Sequence, residues 1–309
     1  MEIKEYTDEF FNNSKKIIIY NSYEPYYLYE MKKYYKQNNI ECIDALDTDL
    51  DVFLPSFNNV KYIYLNSDAV HLNEINKLSN LNGISLTDKQ LNKIDLKILE
   101  QLEYLEINYI SQTIIDFNTF KSLKHLRLRN YPFNMLDIQN ELISFSIDNA
   151  PKLNNLKGVN TNTLKKLKVE NNKKLETIEL NCPMLISFEI YDSKKVINLE
   201  KFIESCKNVT DVSITAYSDY KAELRTIKFI EELTNLKTFI TNFKILDGDL
   251  KPLLKLNDAN IVRFYKNYNL KDKDLPHIEV FIREGNIIKV VQLDSLELGK
   301  EDPRIMWMD

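Results

Sequence analysis

One pattern of residues occurs four times in succession between Leu123 and Val196. The copies begin LKHLRLRN, LISFSIDN, LKKLKVEN and LISFEIYD. Each copy has apolar residues at its first, fourth and sixth positions and Asn or Asp at its eighth. A single unit of this size cannot bury its own apolar face, so such a pattern predicts stacked copies of one structural unit.

The pattern continues in both directions along the chain. Its first position can be followed through ten copies, the last of them degenerate: Val60, Leu81, Leu102, Leu123, Leu142, Leu164, Leu185, Val209, Leu236 and Ala259. Successive first positions are 19 to 27 residues apart. Side chains alternate between the two faces of an extended strand, so the fourth and sixth positions share one face and the third, fifth and seventh share the other. Each copy is therefore predicted to add one strand to a parallel sheet.

This spacing resembles that of the leucine-rich repeat family, in which a short strand is followed by a turn and a return path. The resemblance implies an α/β fold: a leucine-rich repeat solenoid with a curved parallel β-sheet on its concave face and short extended and helical returns on its convex face. Within this family, the chain resembles short-repeat bacterial proteins, and the abundance of Lys, Asn and Ile suits an AT-rich bacterial genome. The resemblance implies a binding scaffold and leaves its ligand open.

The two ends of the chain lack the repeat and are predicted to be caps. The predicted domains are an N-terminal βαβ-like cap at residues 1–59, the solenoid of about ten repeats at 60–275, and a C-terminal β-hairpin cap and tail at 276–309. In the first cap, strands at Ile17–Tyr20 and Ile40–Ile43 flank a tyrosine-rich helix at Glu24–Gln37. Caps of this kind cover the otherwise unpaired edge strands of a repeat sheet.

Composition excludes several classes of function. The net charge of −5 provides no positive surface for a phosphate backbone, which argues against a nucleic-acid partner. The longest early apolar run, Ile17–Tyr20, is too short for a signal peptide or a membrane span, so the chain is predicted to be cytoplasmic with no membrane partner.

Nothing in the sequence predicts catalysis or a cofactor. The five glycines are too scattered to form a phosphate-binding loop, and the three histidines are not at metalloprotease spacing. The three cysteines suggest neither a disulfide framework nor a zinc site and are expected to be reduced packing residues. We therefore expect a protein that is not an enzyme, with no catalytic residues, no metal ligands and no small-molecule cofactor.

The candidate binding surface is the concave face, which carries the third, fifth and seventh positions of each strand. Tyr and Arg are the residue types that most often anchor protein interfaces. The predicted partner-binding residues are Tyr62, Tyr64, Tyr104, Glu106, His125, Arg127, Arg129, Glu189, Tyr191, Arg263 and Tyr265. Neighbouring strands also place Glu106 beside Arg127, Arg129 beside Asp148, and Lys168 beside Glu189. These lateral ion pairs would neutralise the charge locally, which favours a protein partner over a polyanion.

The sequence therefore predicts a non-catalytic protein–protein recognition module. A specific version is an immunity-type protein that inhibits a toxin. One alternative is an adaptor or assembly protein that acts through its caps and its tail, Met306–Met308. A less favoured alternative is an enzyme with a site assembled across distant repeats.

Overall fold

The structure is a computed structural model. It describes residues 16–20, 41–46, 49–57, 59–111, 114–193, 195–216, 223–241, 243–247, 249, 252, 261–264, 279–284 and 287–292. The predicted helix at Glu24–Gln37 and the tail at Met306–Met308 lie outside these residues. The chain forms two compact units, one within residues 1–133 and 137–150 and the other within 134–136 and 151–309. The boundary between these units falls inside the predicted solenoid, and the proposed caps remain a prediction.

The first unit contains a parallel sheet in which each strand pairs with the next one along the chain. Its strands are β1 (Lys16–Tyr20), β2 (Cys42–Leu46), β3 (Tyr62–Leu65), β4 (Gly83–Thr87), β5 (Tyr104–Tyr109), β6 (His125–Arg129) and β7 (Ser144–Asp148). From β3 onward, the third position of each copy pairs with the third position of the next. The predicted parallel register is therefore confirmed.

The apolar positions of the pattern form the core. The first, fourth and sixth residues of each copy from Val60 to Ile147 are at most 4% exposed. Burying one such side chain contributes roughly 1.5–3 kcal/mol. Because these side chains recur in register, each strand contacts apolar neighbours on both sides.

The parallel register also includes β2, the strand before the first copy of the pattern. Strand β2 pairs in register with β3, so that Cys42 lies beside Tyr62 and Ile43 beside Ile63. Ile43 and Ala45 are fully buried, as fourth and sixth positions of a repeat should be. Residues 40, 43 and 45 are apolar at the same spacing, which is the signal that extends the repeat into residues 1–59.

The returns of the first unit include short helices. It contains α1 (Leu50–Phe53), α2 (Asp88–Leu91) and α3 (Leu96–Gln101), with 3₁₀ helices at Leu54–Ser56, Leu72–Lys77 and Phe117–Thr119. Two residues of α3, Ile98 and Leu99, are buried, so the burial of these two apolar side chains holds this short helix in place.

The second unit repeats the same design. Its strands are β8 (Asn155–Leu156), β9 (Lys166–Glu170), β10 (Thr177–Ile178), β11 (Ser187–Tyr191), β12 (Asp211–Thr215), β13 (Glu223–Leu224), β14 (Thr238–Thr241), β15 (Lys244–Ile245), β16 (Ile261–Phe264), β17 (Glu279–Glu284) and β18 (Ile287–Gln292). Strands β9, β11, β12, β14, β16 and β17 form a parallel sheet in that order. Strands β17 and β18 pair antiparallel, where the sequence predicted a hairpin.

The returns of the second unit are of both predicted kinds. Short extended returns pair in parallel, β8 with β10 and β13 with β15. The helical returns of this unit include a helix, α4 (Leu199–Glu204), and a 3₁₀ helix at Lys228–Glu232. In both units, every helix among the described residues is too short or too polar to traverse a lipid bilayer.

The eighth position of the central copies turns the chain from strand to return. Its residues adopt positive φ angles: 54° at Asn130, 52° at Asn149, 54° at Asn171 and 49° at Asp192. Asn and Asp tolerate this left-handed conformation better than other non-glycine residues do. The Asn130 side-chain amide also donates to the carbonyl of Asn108 at 2.9 Å, which satisfies a backbone group at the preceding corner.

Outside these copies, a helix-capping interaction stabilises the corner that follows β4. Thr87 and Gln90 form a capping box at the start of α2, in which each side chain bonds to the backbone of the other residue. The Gln90 side chain also donates to the carbonyl of Asn66 at 2.6 Å. This contact ties the corner after β4 to the corner after β3.

We predict that Asn130→Ala destabilises the protein more than Asn130→Gly does, by about 1 kcal/mol. Both variants lose the hydrogen bond to Asn108, but only alanine resists the positive φ angle of Asn130. Urea unfolding monitored by circular dichroism measures the difference. Equal stabilities of the two variants would contradict a role for the left-handed backbone.

Candidate functional site

The face of each sheet formed by the third, fifth and seventh positions is called here the odd-position face; it is the face predicted to bind a partner. In the first unit, seven of the predicted site residues come together on it, from β3 to β6. Four of them are buried: Tyr62 is 4% exposed, Tyr104 6%, Glu106 3% and His125 4%. Tyr64, Arg127 and Arg129 are only partly buried and provide the accessible groups.

Two buried tyrosines form a small packed cluster on this face. Tyr62, Tyr104 and Cys42 are in contact, and Tyr64 packs against them. Gly83 lies between Tyr62 and Tyr104 in the register of the sheet. A β-carbon at residue 83 would lie 2.3 Å from Cδ1 of the Tyr62 ring and 3.2 Å from Cβ of Tyr104. The Tyr62 ring therefore occupies the space that a side chain at residue 83 would need.

Glu106 is the centre of the polar part of the site. Its Oε2 accepts a hydrogen bond from the Tyr104 hydroxyl at 3.0 Å. Its Oε1 lies 2.8 Å from Nε of Arg129 and 3.8 Å from Nε of Arg127. A buried carboxylate needs such partners, because an uncompensated charge in the interior is strongly destabilising.

The arginines reach from the buried carboxylate to the surface. Their side chains are 30% exposed at Arg127 and 37% at Arg129. Lateral pairing of Arg127 with Glu106 was predicted and is confirmed. Arg129 lies beside Asp148 in the register of the sheet, and the predicted ion pair between these two residues stays a prediction. The Arg129 guanidinium reaches diagonally to Glu106, because both side chains are long enough to span two positions.

The tyrosine hydroxyls are held in their protonated form. Burial, together with the charge of Glu106, raises the pKa of Tyr104 and that of Tyr64 well above the ordinary value. Tyr64 also forms a side-chain hydrogen bond with Tyr104. Tyr64, Tyr104, Glu106 and Arg129 thus form one connected network that leads from the surface to the buried carboxylate.

His125 belongs to the same face and is neutral at pH 7. Its Nδ1 lies 2.8 Å from the Ser144 hydroxyl, and both residues are buried. Burial lowers the pKa of His125 from 6.5 to about 4. Because neither side chain is accessible, this serine–histidine pair supports the structure of the face.

The second unit carries a separate charged group on its odd-position face. Nζ of Lys168 lies 3.1 Å from Glu170 and 3.2 Å from Glu189, so the predicted pair with Glu189 is confirmed. Burial opposes the charge of Lys168, but the two carboxylates prevail and raise its pKa. Tyr191 is half-buried on the same strand as Glu189.

The last two predicted residues receive less support. Arg263 lies in β16 and pairs in register with Ile240, but its side chain is outside the described part of the structure. Tyr265 lies outside the described residues altogether. Both remain predictions.

The cysteines are buried and none forms a disulfide. Cys182 and Cys206 are distant in sequence but share a side-chain hydrogen bond, because they occupy the same position of consecutive repeats. This hydrogen bond, together with burial, raises the pKa of the Cys182 thiol. The thiol is therefore protonated, which makes it a poor nucleophile.

We predict that Gly83→Ala destabilises the protein by about 1–3 kcal/mol, because the new methyl group overlaps the buried Tyr62 ring. The double variant Gly83→Ala, Tyr62→Ala tests the cause. In the Tyr62→Ala background, Gly83→Ala should lower the free energy of unfolding much less than it does in the parent chain. Additive free energies of unfolding in this cycle would show that the ring is not the obstacle.

We predict that stability falls as the pH decreases from 6.5 to about 4, in part because of His125. The unfolded chain takes up a proton on this imidazole below its ordinary pKa, whereas the folded chain resists until about pH 4. The shift accounts for up to about 3 kcal/mol. In His125→Gln, the unfolding free energy should therefore fall less over this interval; parallel profiles of parent and variant would refute the assignment.

No protein-family model matches the chain, and no curated protein sequence matches it. Among solved structures, it is similar to the functional domain of InlJ from Listeria monocytogenes, at 13% identity and a TM-score of 0.46 over 77% of this chain and 63% of that one. It is also similar to TLR13 in its complex with ssRNA13, at 14% identity and a TM-score of 0.44 over 89% of this chain and 51% of that one. The chain thus spans less than two thirds of either protein.

The burial, strand pairing and return segments of this chain define its fold. Among the described residues, the apolar positions of the copies from Val60 to Ile147 are buried, these copies pair in parallel and in register, and the returns include short extended strands and short helices. Each unit therefore has the strand-and-return architecture of a leucine-rich repeat fold.

Proposed function

We propose that the chain is a non-catalytic recognition module that binds another protein on its odd-position face. The observation that carries this proposal is the arrangement around Glu106, where one buried carboxylate holds two partly exposed arginines. Side chains already held in place lose less conformational entropy when a partner binds. Arg and Tyr are also the residues that most often dominate interface energies.

The charge pattern supports a protein partner. Arg127 and Arg129 are opposed by Glu106 and Asp148, and Lys168 is opposed by Glu170 and Glu189. A nucleic acid needs an excess of positive charge along its path, and this face provides mixed charge instead. The buried third-position residues, Tyr62, Tyr104 and His125, support the face, and the partner contacts are assigned to Tyr64, Arg127 and Arg129. Glu189 and Tyr191 are proposed as a further contact on the second unit.

The proposal also includes a cellular location and a class of partner. The chain acts in the cytoplasm of a bacterium, and its partner is a toxin that it inhibits. This version predicts that expression of the captured partner alone arrests growth and that coexpression of the chain restores it. Growth arrest that persists during coexpression would remove the immunity role and leave the recognition role standing.

The test of recognition uses a charge-matched pair of variants. Glu106→Gln, Arg127→Gln, Arg129→Gln removes two cations and one anion together, so no buried charge is left unpaired. The control, Glu103→Gln, Lys121→Gln, Lys124→Gln, makes the same change at exposed lateral pairs elsewhere in the unit. Both variants are first checked for folding by circular dichroism.

We expect a partner captured by the parent chain to remain bound to the control and to lose at least about tenfold in affinity for the Glu106 variant, since interface arginines of this kind contribute 2 kcal/mol or more. Affinity is measured by biolayer interferometry with the captured partner. Unchanged affinity for the Glu106 variant would overturn the proposed surface and favour an adaptor that binds through its caps.

A further inference from the structure

A second site lies outside the odd-position face, where three possible metal ligands converge. Asp49 immediately precedes α1, Asp51 lies within α1, and His71 immediately precedes the 3₁₀ helix at Leu72–Lys77. One ligand atom from each residue lies within 4.8 Å of the other two. Nδ1 of His71 contacts Oδ1 of Asp49 and is 3.8 Å from Oδ2 of Asp51.

Two separate segments bring these side chains together, and both are fixed by the backbone. Asp49 forms a parallel β-bridge with Val70, and the amide of Leu50 donates to the carbonyl of Val70 at 3.3 Å. Leu50, between the two aspartates, and Leu72, next to His71, are buried. The backbone positions of all three ligands are therefore set by the core, while their side chains remain about half exposed. A site arranged in advance requires little reorganisation to bind an ion.

The donor set indicates the class of ion. An imidazole nitrogen with two carboxylate oxygens suits the borderline transition ions, such as Zn²⁺ and Mn²⁺, whereas Mg²⁺ and Ca²⁺ prefer oxygen ligands alone. Two neighbouring carboxylates repel each other, and a divalent cation between them removes that repulsion. We propose that Asp49, Asp51 and His71 bind one divalent transition-metal ion, with water completing the coordination on the exposed side.

A competing explanation needs no metal. The Asp49–His71 contact can be an ion pair between a carboxylate and an imidazolium, which is common on protein surfaces and contributes little to stability. In that case Asp51 only adds its negative charge 3.8 Å from the imidazole, and no ion binds between the two carboxylates. The two explanations therefore differ in whether Asp51 is required and in whether a metal ion binds at all.

The first measurement is isothermal titration of the full chain with ZnCl₂ at pH 7.5, with MgCl₂ as the comparison ion. We expect one Zn²⁺ per chain, no comparable Mg²⁺ binding, and a loss of at least about tenfold in affinity in each of Asp49→Asn, Asp51→Asn and His71→Gln. Loss of a second-sphere partner already costs 10- to 100-fold in metal sites, and a direct ligand should cost no less. The matched controls are Asp68→Asn, at an exposed aspartate nearby in the sequence, and His125→Gln, at a buried histidine.

A second measurement locates the ion without any variant. Substoichiometric Mn²⁺ is added to the ¹⁵N-labelled parent chain, and the amide signals near residues 49–51 and 70–72 are expected to broaden before all others. The proposal is overturned if the folded parent shows no stoichiometric Zn²⁺ binding at 1 mM. It is also overturned if the three ligand variants bind Zn²⁺ as tightly as the controls do, or if Mn²⁺ broadens signals elsewhere first.

Discussion

Within each unit, the described strands of the repeat depend on the lateral pairing of one strand with the next, in register. The strand pattern of a single copy supplies only three buried apolar side chains, at its first, fourth and sixth positions, too few to exclude water by themselves. When copies stack, the side chain at each position contacts the same position on both sides, as Leu105 does between Ile84 and Leu126. This repeated burial, together with parallel backbone hydrogen bonds, offsets the entropy of ordering the chain.

The same register organises the opposite face. Residues that occupy equivalent positions are about one strand spacing apart, so their side chains interact along the stack. Where these neighbours differ in size, they fit together, as the Tyr62 ring fits over Gly83. Where they differ in charge, they pair, as Glu106 pairs with Arg127. The odd-position face is therefore a set of matched neighbours, and its accessible groups are held by buried ones.

On this face, the buried residues support the structure, and the partly exposed residues are the ones that a partner could contact. The sequence does not distinguish Tyr64 from Tyr104, since both are tyrosines at odd positions of repeats that are two copies apart. In the structure, Tyr104 is buried and donates a hydrogen bond to Glu106, whereas Tyr64 is partly exposed.

The site formed by Asp49, Asp51 and His71 also depends on the tertiary structure. These residues belong to no motif in the sequence, and the β-bridge between Asp49 and Val70 brings them together.

The sequence by itself determined the repeat, the strand of each copy, the burial of the apolar positions of the pattern, and the lateral pairs Glu106–Arg127 and Lys168–Glu189, because these follow from a fixed period and the alternation of side chains along a strand. Only the tertiary structure decided which odd-position residues are buried, that Arg129 also reaches Glu106, that Gly83 accommodates a tyrosine ring, and that Cys182 contacts Cys206. The physical reason is that periodicity fixes which face a side chain occupies, whereas its partners depend on side-chain length, rotamer and the size of its neighbours. The short helices of the early returns are decided in the same way, because burial of residues such as Ile98 and Leu99 stabilises segments too short to be helical alone.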